Sequence, residues 1–180
     1  MADALVRADV LAGRRAETAG VSVVPGAPAS RLSLRAPQAG IAALSKALGL
    51  ALPKKPKGTA QDGTRAALWL GPDEWLVLDA EGVDLAGLCA SVRTAHSAVD
   101  VSHRNVAILV SGPAAETVLA AGCPQDLAPA VFPVGAASRT VLGKVEIVLW
   151  RTGADAFRVE VWRSFSDYAF TLLAEAARDA

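Results

Sequence analysis

Two short apolar runs separated by a turn, in the stretch AALWLGPDEWLVLD at residues 66–79, constrain the fold more than any other feature of the sequence. Pro72 fixes the φ of the second turn position and Asp73 adds polar turn chemistry, so the stretch predicts a β-hairpin. Trp69 and Trp75 flank the bend. A strand exposed on one face alternates apolar and polar residues, whereas both faces of these strands are apolar. The hairpin must therefore be covered on both sides.

The two tryptophans of the hairpin have two interpretations. In the first, the hairpin lies at the centre of a layered α+β core, as buried apolar runs of this length do. In the second, one face of the hairpin docks on another protein, because tryptophan is enriched among the residues that dominate binding energy at interfaces. Both hold if Trp69 and Trp75 share a face, with one side chain in the core and the other at the rim, where a partner covers it.

The charge balance of the chain argues against nucleic acid or an anionic membrane as partner. The 180 residues include 18 basic and 18 acidic ones, for a net charge of zero, so neither partner is attracted electrostatically. The lysines in ALPKKPKGTAQDG, residues 51–63, are interpreted as part of a solvated loop, since the run is short and lacks interleaved aromatic residues. Hydrophobic residues make up 52% of the chain and charged ones 20%, which favours a subunit whose surface is covered in a complex.

The start of the chain and its cysteines predict a cytoplasmic protein. The segment MADALVRADVLAGRR carries Asp3, Arg7 and Asp9 where a signal peptide has an uncharged core, and no apolar stretch reaches the length of a membrane span. Cys89 and Cys123 form no CxxC pair and are interpreted as reduced core residues. The two histidines do not complete a four-ligand metal set with them.

The segment DVSHR at residues 100–104 contains the residue types of a catalytic triad. In an extended chain, however, Asp100 and Ser102 point to one face and His103 to the other, so the segment itself cannot form the relay. Asp100 and Ser102 are expected to bond backbone groups at a strand end, and Arg104 to pair with a carboxylate. Neither GxGxxG nor a phosphate loop ending in GK[ST] occurs. The residues therefore predict no catalytic, cofactor-binding or metal-binding site in this chain.

The order of apolar periodicities predicts an α+β fold of pseudo-duplicated antiparallel sheets covered by helices. A pattern of strand, hairpin and helix occurs at residues 66–94 and again at residues 139–178. Residues 31–180 are expected to form a single domain. Residues 1–30 have no sustained period, so they are expected to form a flexible N-terminal arm.

The last helix is the best-defined element in the sequence. Ser164 is its predicted N-cap, with Asp167 three residues further on. A stripe of apolar side chains at helical spacing is expected to face the core, and its members are Phe165, Tyr168, Leu172, Leu173 and Ala176.

Four separated segments carry a resemblance to a known family. They are AALWLGPDEWLVLD, AVDVSHRNVAILVSGPAAETVLAAGCPQDL, FPVG and FRVEVWRSFSDYAFTLL. In this order and spacing they resemble the gamma subunit of heterotetrameric sarcosine oxidase, over residues 31–178. The resemblance implies a fold like the folate-binding region of the glycine-cleavage aminomethyltransferase. It also implies an assembly with alpha, beta and delta subunits that oxidatively demethylates sarcosine to glycine, transfers the one-carbon unit to tetrahydrofolate and forms peroxide.

The same resemblance assigns the cofactors to the other subunits. FAD, FMN, NAD and tetrahydrofolate are expected on those subunits and none on this chain. The recognisable positions carry over as architectural or interface residues, namely Gly71, Pro72, Trp75, Asp100, Ser102, Arg104, Gly112, Pro113, Cys123, Asp126, Leu127, Arg163, Ser164 and Tyr168. Trp69, Trp75, Arg104 and Arg163 are hypothesised to contact the other subunits.

Two alternatives stay open. The chain could be the equivalent subunit of a related secondary-amine dehydrogenase, such as one acting on N-methylglutamate, since such a subunit would not contact the substrate. It could instead be a free-standing folate-binding protein of the aminomethyltransferase type, although 180 residues leave no room for the additional C-terminal domain of such enzymes.

Overall fold

Two antiparallel sheets lie face to face between two layers of helices in the computed structural model, which describes residues 9–180. The strands are β1 (Ala16–Glu17), β2 (Ser22–Pro25), β3 (Ala29–Arg35), β4 (Thr59–Asp62), β5 (Arg65–Gly71), β6 (Glu74–Ala80), β7 (Ser97–Asp100), β8 (Asn105–Ser111), β9 (Ala137–Leu142), β10 (Val145–Gly153) and β11 (Ala156–Trp162). The helices are α1 (Ile41–Leu48), α2 (Leu85–Cys89), α3 (Ala115–Ala120) and α4 (Ser166–Arg178). None of these helices is long and apolar enough to cross a bilayer.

The five-stranded sheet has the order β4-β5-β6-β3-β7 and contains the predicted hairpin. Pro72 and Asp73 are the two residues between its strands, β5 and β6. Trp75 and Val77 pack with α1 and α2 on one face, whereas Leu76 belongs to a cluster shared with β9 and β10 of the other sheet. The prediction that both faces of the hairpin are covered is therefore confirmed. The predicted loop upstream is partly wrong, because β4 pairs with β5.

The six-stranded sheet has the order β1-β2-β8-β11-β10-β9, and its last three strands form an antiparallel meander. One face packs against α3 and α4 through a cluster that includes Ile108, Leu149, Phe157 and Phe170. Complete burial of each such side chain contributes about 1.5–3 kcal/mol. The opposite face lies on the five-stranded sheet, so helices cover the outer face of each sheet. This is the predicted arrangement of two antiparallel sheets covered by helices.

A buried ion pair joins inner strands of the two sheets. Arg31 on β3 donates from Nε to Glu160 Oε2 on β11 at 2.6 Å, and the two side chains are 2% and 0% exposed. Arg31 Nη1 also donates to the carbonyl of Ala29 at 3.0 Å, and Arg158 Nε donates to Glu160 Oε1 at 2.8 Å. These bonds replace the water that both charges lose on burial, which a buried ion pair needs if it is not to destabilise the fold.

The predicted flexible arm over residues 1–30 is wrong for the part that the structure describes. β1 and β2 extend the six-stranded sheet, in which β2 pairs with β8. Leu11 is fully buried in the core of that sheet, and Arg14 forms an ion pair with Asp167 on α4. All these contacts join residues that are distant in the chain, which local periodicity cannot indicate. Residues 1–8 lie outside the described residues.

The last helix turns a different face to the core from the predicted stripe. A turn of 3-10 helix at Arg163–Phe165 leads from β11 into α4, so the helix begins at Ser166 and Ser164 does not cap it. Its buried residues are Ser166, Ala169, Phe170, Leu173 and Ala177. Of the predicted stripe, Leu173 is buried, whereas Phe165 and Tyr168 are 44% and 41% exposed.

The ion pair between the sheets leads to the first prediction. Glu160→Gln leaves the Arg31 charge buried without a counter-charge, so we expect the free energy of unfolding to fall by about 3–5 kcal/mol. The matched control is Glu146→Gln, because Glu146 is 55% exposed and lies 3.7 Å from Arg139 Nε; a surface pair of this kind contributes about 0–1 kcal/mol. Urea unfolding of both variants measures the difference. Equal losses in the two variants would contradict the prediction.

Candidate functional site

The four predicted interface residues lie in two separate places. Trp69 and Trp75 face each other across the hairpin of the five-stranded sheet. Arg104 and Arg163 lie together on the six-stranded sheet, where β8 begins and β11 ends, and Arg163 N donates to the Arg104 carbonyl at 2.6 Å. The structure therefore brings the two tryptophans together and the two arginines together, but it does not bring all four residues together.

The hairpin tryptophans share a face but differ in burial. Trp75 is 0% exposed, and its Nε1 donates to the carbonyl of Pro53 at 2.7 Å, so the indole N–H is satisfied within the core. Trp69 is only partly buried and packs at the edge of the same cluster, which α1 and α2 complete. The sequence predicts that, if the two tryptophans share a face, one lies in the core and the other at the rim, and the structure shows this arrangement.

Beside the two arginines lies an exposed aromatic surface that the sequence did not indicate. Trp162 is 42% and Phe165 44% exposed, and their ring centroids are 6.2 Å apart. The Cζ atom of Arg104 lies 5.2 Å from the Trp162 ring, a cation–π contact. Val10, which is 42% exposed, borders the same depression. We call these four residues, Val10, Arg104, Trp162 and Phe165, the Trp162 surface.

The end of β11 explains why these aromatic side chains face outward. Successive strand residues point to opposite faces, so Val161 enters the core of the six-stranded sheet while Trp162 points away from it. Trp162 is the last residue of the strand and reaches the edge of the cleft between the sheets, together with Leu70 and Glu74. The 3-10 turn that follows rotates α4 so that Phe165 also lies outside the core.

The charge at this surface is not balanced by the described part of the chain. Arg104 Nε donates to Asn105 Oδ1 at 3.2 Å, and its guanidinium forms no ion pair within residues 9–180. The predicted pairing of Arg104 with a carboxylate is therefore not found within residues 9–180. Arg139 shows the contrasting case, because the hydrogen bonds and charge of Glu74 raise the pKa of its guanidinium.

The remaining residues of chemical interest have structural contacts. Ser102 N donates to Asp100 Oδ1 at 2.7 Å, and Ser102 Oγ accepts from Arg31 N at 2.8 Å, which confirms the predicted bonds to backbone groups. Cys89 and Cys123 are free and buried in the two helix-covered cores, as predicted. Burial raises the pKa of the Cys89 thiol. Within residues 9–180, no three His, Cys, Asp or Glu side chains are grouped as a metal site.

A cavity of about 260 Å³ opens between the loop after β2 and the start of β8. Pro25, Gly26, Arg31 and Asn105 are among its lining residues. The guanidinium of Arg31 is already bonded to Glu160, so this wall is part of the contact between the sheets.

The stacked antiparallel sheets with outer helices are similar in fold to a solved aminomethyltransferase. The chain is similar to the crystal structure of glycine cleavage system aminomethyltransferase T from Bartonella henselae, with a TM-score of 0.66 and 14% identity, covering 89% of this chain and 50% of that one. At this identity the likeness concerns the fold alone. The model of the sarcosine oxidase, gamma subunit family matches residues 34–179. The chain therefore belongs to that family.

Individual relatives of this chain agree with this family. A sarcosine oxidase subunit gamma from Arthrobacter sp is 40% identical over 144 residues, which is 78% of this chain. This chain spans 65% of the length of that relative. A chain of heterotetrameric sarcosine oxidase from Corynebacterium sp. U-96, solved in complex with pyrrole 2-carboxylate, has a TM-score of 0.84 and 34% identity, covering 88% of this chain and 84% of that one.

The different burial of the hairpin tryptophans gives the second prediction. Trp75→Ala should lower the free energy of unfolding by about 3–5 kcal/mol, because it removes a fully buried indole and leaves a cavity. Trp69→Ala should change stability far less and weaken assembly with a partner by about 2 kcal/mol or more. Thermal unfolding and co-purification with that partner measure the two effects. Equal losses of stability with unchanged assembly would restrict the hairpin to a core role.

Proposed function

We propose that this chain is a non-catalytic structural subunit of a heterotetrameric sarcosine oxidase. The observation that carries the proposal is the likeness, over 88% of the chain, to a chain of a solved heterotetrameric sarcosine oxidase. In this proposal, sarcosine is oxidatively demethylated to glycine on other subunits, with transfer of the one-carbon unit to tetrahydrofolate and formation of peroxide. This chain provides a folded surface on which those subunits assemble.

The contacts of its polar residues support a structural role. Between the sheets, Arg31 and Glu160 bond to each other, and the Ser102 hydroxyl accepts from backbone. A general acid or base needs a side chain within reach of a substrate proton. These groups instead hold the two sheets and their strand ends in place.

The other members of the proposed assembly are alpha, beta and delta subunits. FAD, FMN, NAD and tetrahydrofolate are assigned to them, and the assembly to the cytoplasm. Neither nucleic acid nor a membrane is a partner in this proposal, in keeping with the net charge of zero. Aromatic and arginine side chains such as those of the Trp162 surface are enriched at the centres of protein interfaces.

The third prediction tests this function by co-expression with the other three subunits. We expect the chain to co-purify in a complex that consumes oxygen with sarcosine, and the isolated chain to be colourless and to produce no peroxide. Faster turnover of N-methylglutamate than of sarcosine would instead identify a related amine dehydrogenase. A stoichiometric flavin or folate bound to the isolated chain would contradict a purely structural role.

A further inference from the structure

We propose that the Trp162 surface is where this chain docks on a larger subunit, and that a carboxylate of that subunit pairs with Arg104. The inference rests on the proposed function, since it names the contact that holds the chain in the assembly. It assigns this contact to Trp162 and Phe165, which lie at the end of β11 and in the turn that follows it.

The apolar part of the Trp162 surface consists of two neighbouring rings that are partly exposed to water. Trp162 and Phe165 are 42% and 44% exposed with centroids 6.2 Å apart, and Tyr168, one helical turn further on, is also exposed. Single exposed apolar residues are normal, but a contiguous group beside a cation marks a binding surface. Tryptophan, tyrosine and arginine are the residue types that contribute most to binding at such surfaces.

The charge at this surface indicates the chemistry of the partner. The exposed guanidinium of Arg104 lies over the Trp162 ring and has Asn105 Oδ1 as its acceptor, which leaves further N–H donors available. Arg35, which is also exposed, shows the alternative of a partner within the chain, since it has Asp73 at 2.8 Å. Arg104 has no carboxylate partner within residues 9–180, so its guanidinium is open to one on a partner. A carboxylate accepts two parallel hydrogen bonds from a guanidinium and neutralises its charge.

A second copy of this chain fits the surface less well than a larger subunit. A two-fold dimer places the same patch of both copies in contact. The two Arg104 charges would then approach each other, and Glu74, which lines the same cleft, is already bonded to Arg139. Like charges that lose water in this way oppose association.

The surface is held rigidly by bonds to the fold. Asn105 pairs with Trp162 across β8 and β11, Arg163 N donates to the Arg104 carbonyl, and Ser166 Oγ donates to the Arg163 carbonyl at 2.8 Å. A surface that is already ordered loses little conformational entropy on binding, so more of the contact energy appears as affinity.

The fourth prediction measures the affinity of the purified chain for the complex of the other subunits, prepared without it. Trp162→Ala should weaken binding about 30-fold or more, and Arg104→Gln about 10-fold or more with a smaller dependence on salt. The matched control is Val134→Ala, because Val134 is 58% exposed in the loop before β9 and should leave affinity unchanged. Thermal unfolding checks that each variant is folded.

A cross-linking experiment identifies the carboxylate. In the Arg104→Lys variant, carbodiimide should join the amino group at position 104 directly to an Asp or Glu of a larger subunit, and mass spectrometry locates the product. Arg93→Lys is the control, because Arg93 is exposed elsewhere, after α2, and should give no such product.

The outcomes separate this inference from the proposed function. If the unchanged chain does not bind the other subunits, both are wrong. If it binds and neither Trp162→Ala nor Arg104→Gln weakens binding, the docking surface lies elsewhere and only the inference is overturned. A homodimer that Trp162→Ala dissociates, without an effect on binding to the other subunits, would also overturn it.

Discussion

The buried pair between Arg31 and Glu160 is the contact on which the relation of the two sheets depends. An apolar layer alone tolerates some sliding of one sheet over the other, because dispersion and hydrophobic contacts are non-directional. Two desolvated charges have few arrangements in which both are satisfied, and departures from those arrangements leave a charge buried without a partner. The pair joins β3 to β11, which are inner strands of their sheets. It thereby determines which residues of each sheet meet in the layer between them.

The position of Glu160 also determines where the aromatic surface appears. Residues two apart on a strand point to the same face, so Trp162 follows Glu160 along the side of β11 that faces the other sheet. Glu160 lies under that sheet and is fully buried, whereas Trp162 has reached its edge and is half-exposed. The same strand therefore contributes to the stability of the sandwich at one residue and to the candidate docking surface two residues later.

Much of the fold could be predicted from the sequence because its main elements are local. The hairpin of β5 and β6 is indicated by Pro72 and by apolar runs on both strand faces, and the structure covers both faces. The N-terminal strands could not be predicted in this way. β2 is held by pairing with β8, and the segment before it by burial of Leu11 and by the contacts of Arg14 with α4. These are long-range contacts without a period in the sequence.

The candidate site was predicted only in part, for a reason that lies in α4. The helix has apolar residues on more than one side. The helical spacing of apolar residues therefore predicts Phe165 and Tyr168 as core residues as readily as Phe170. The 3-10 turn before the helix determines which of these side chains is buried, because it rotates the helix and places Phe170 in the core. Arg104 and Arg163 were identified by resemblance, but their neighbour Trp162 was not. Trp162 is the last residue of a strand, and such a residue has the same sequence pattern whether or not a second sheet covers it. Exposure at that position depends on where the partner sheet ends, which is a property of the packed layers and of the ion pair that aligns them.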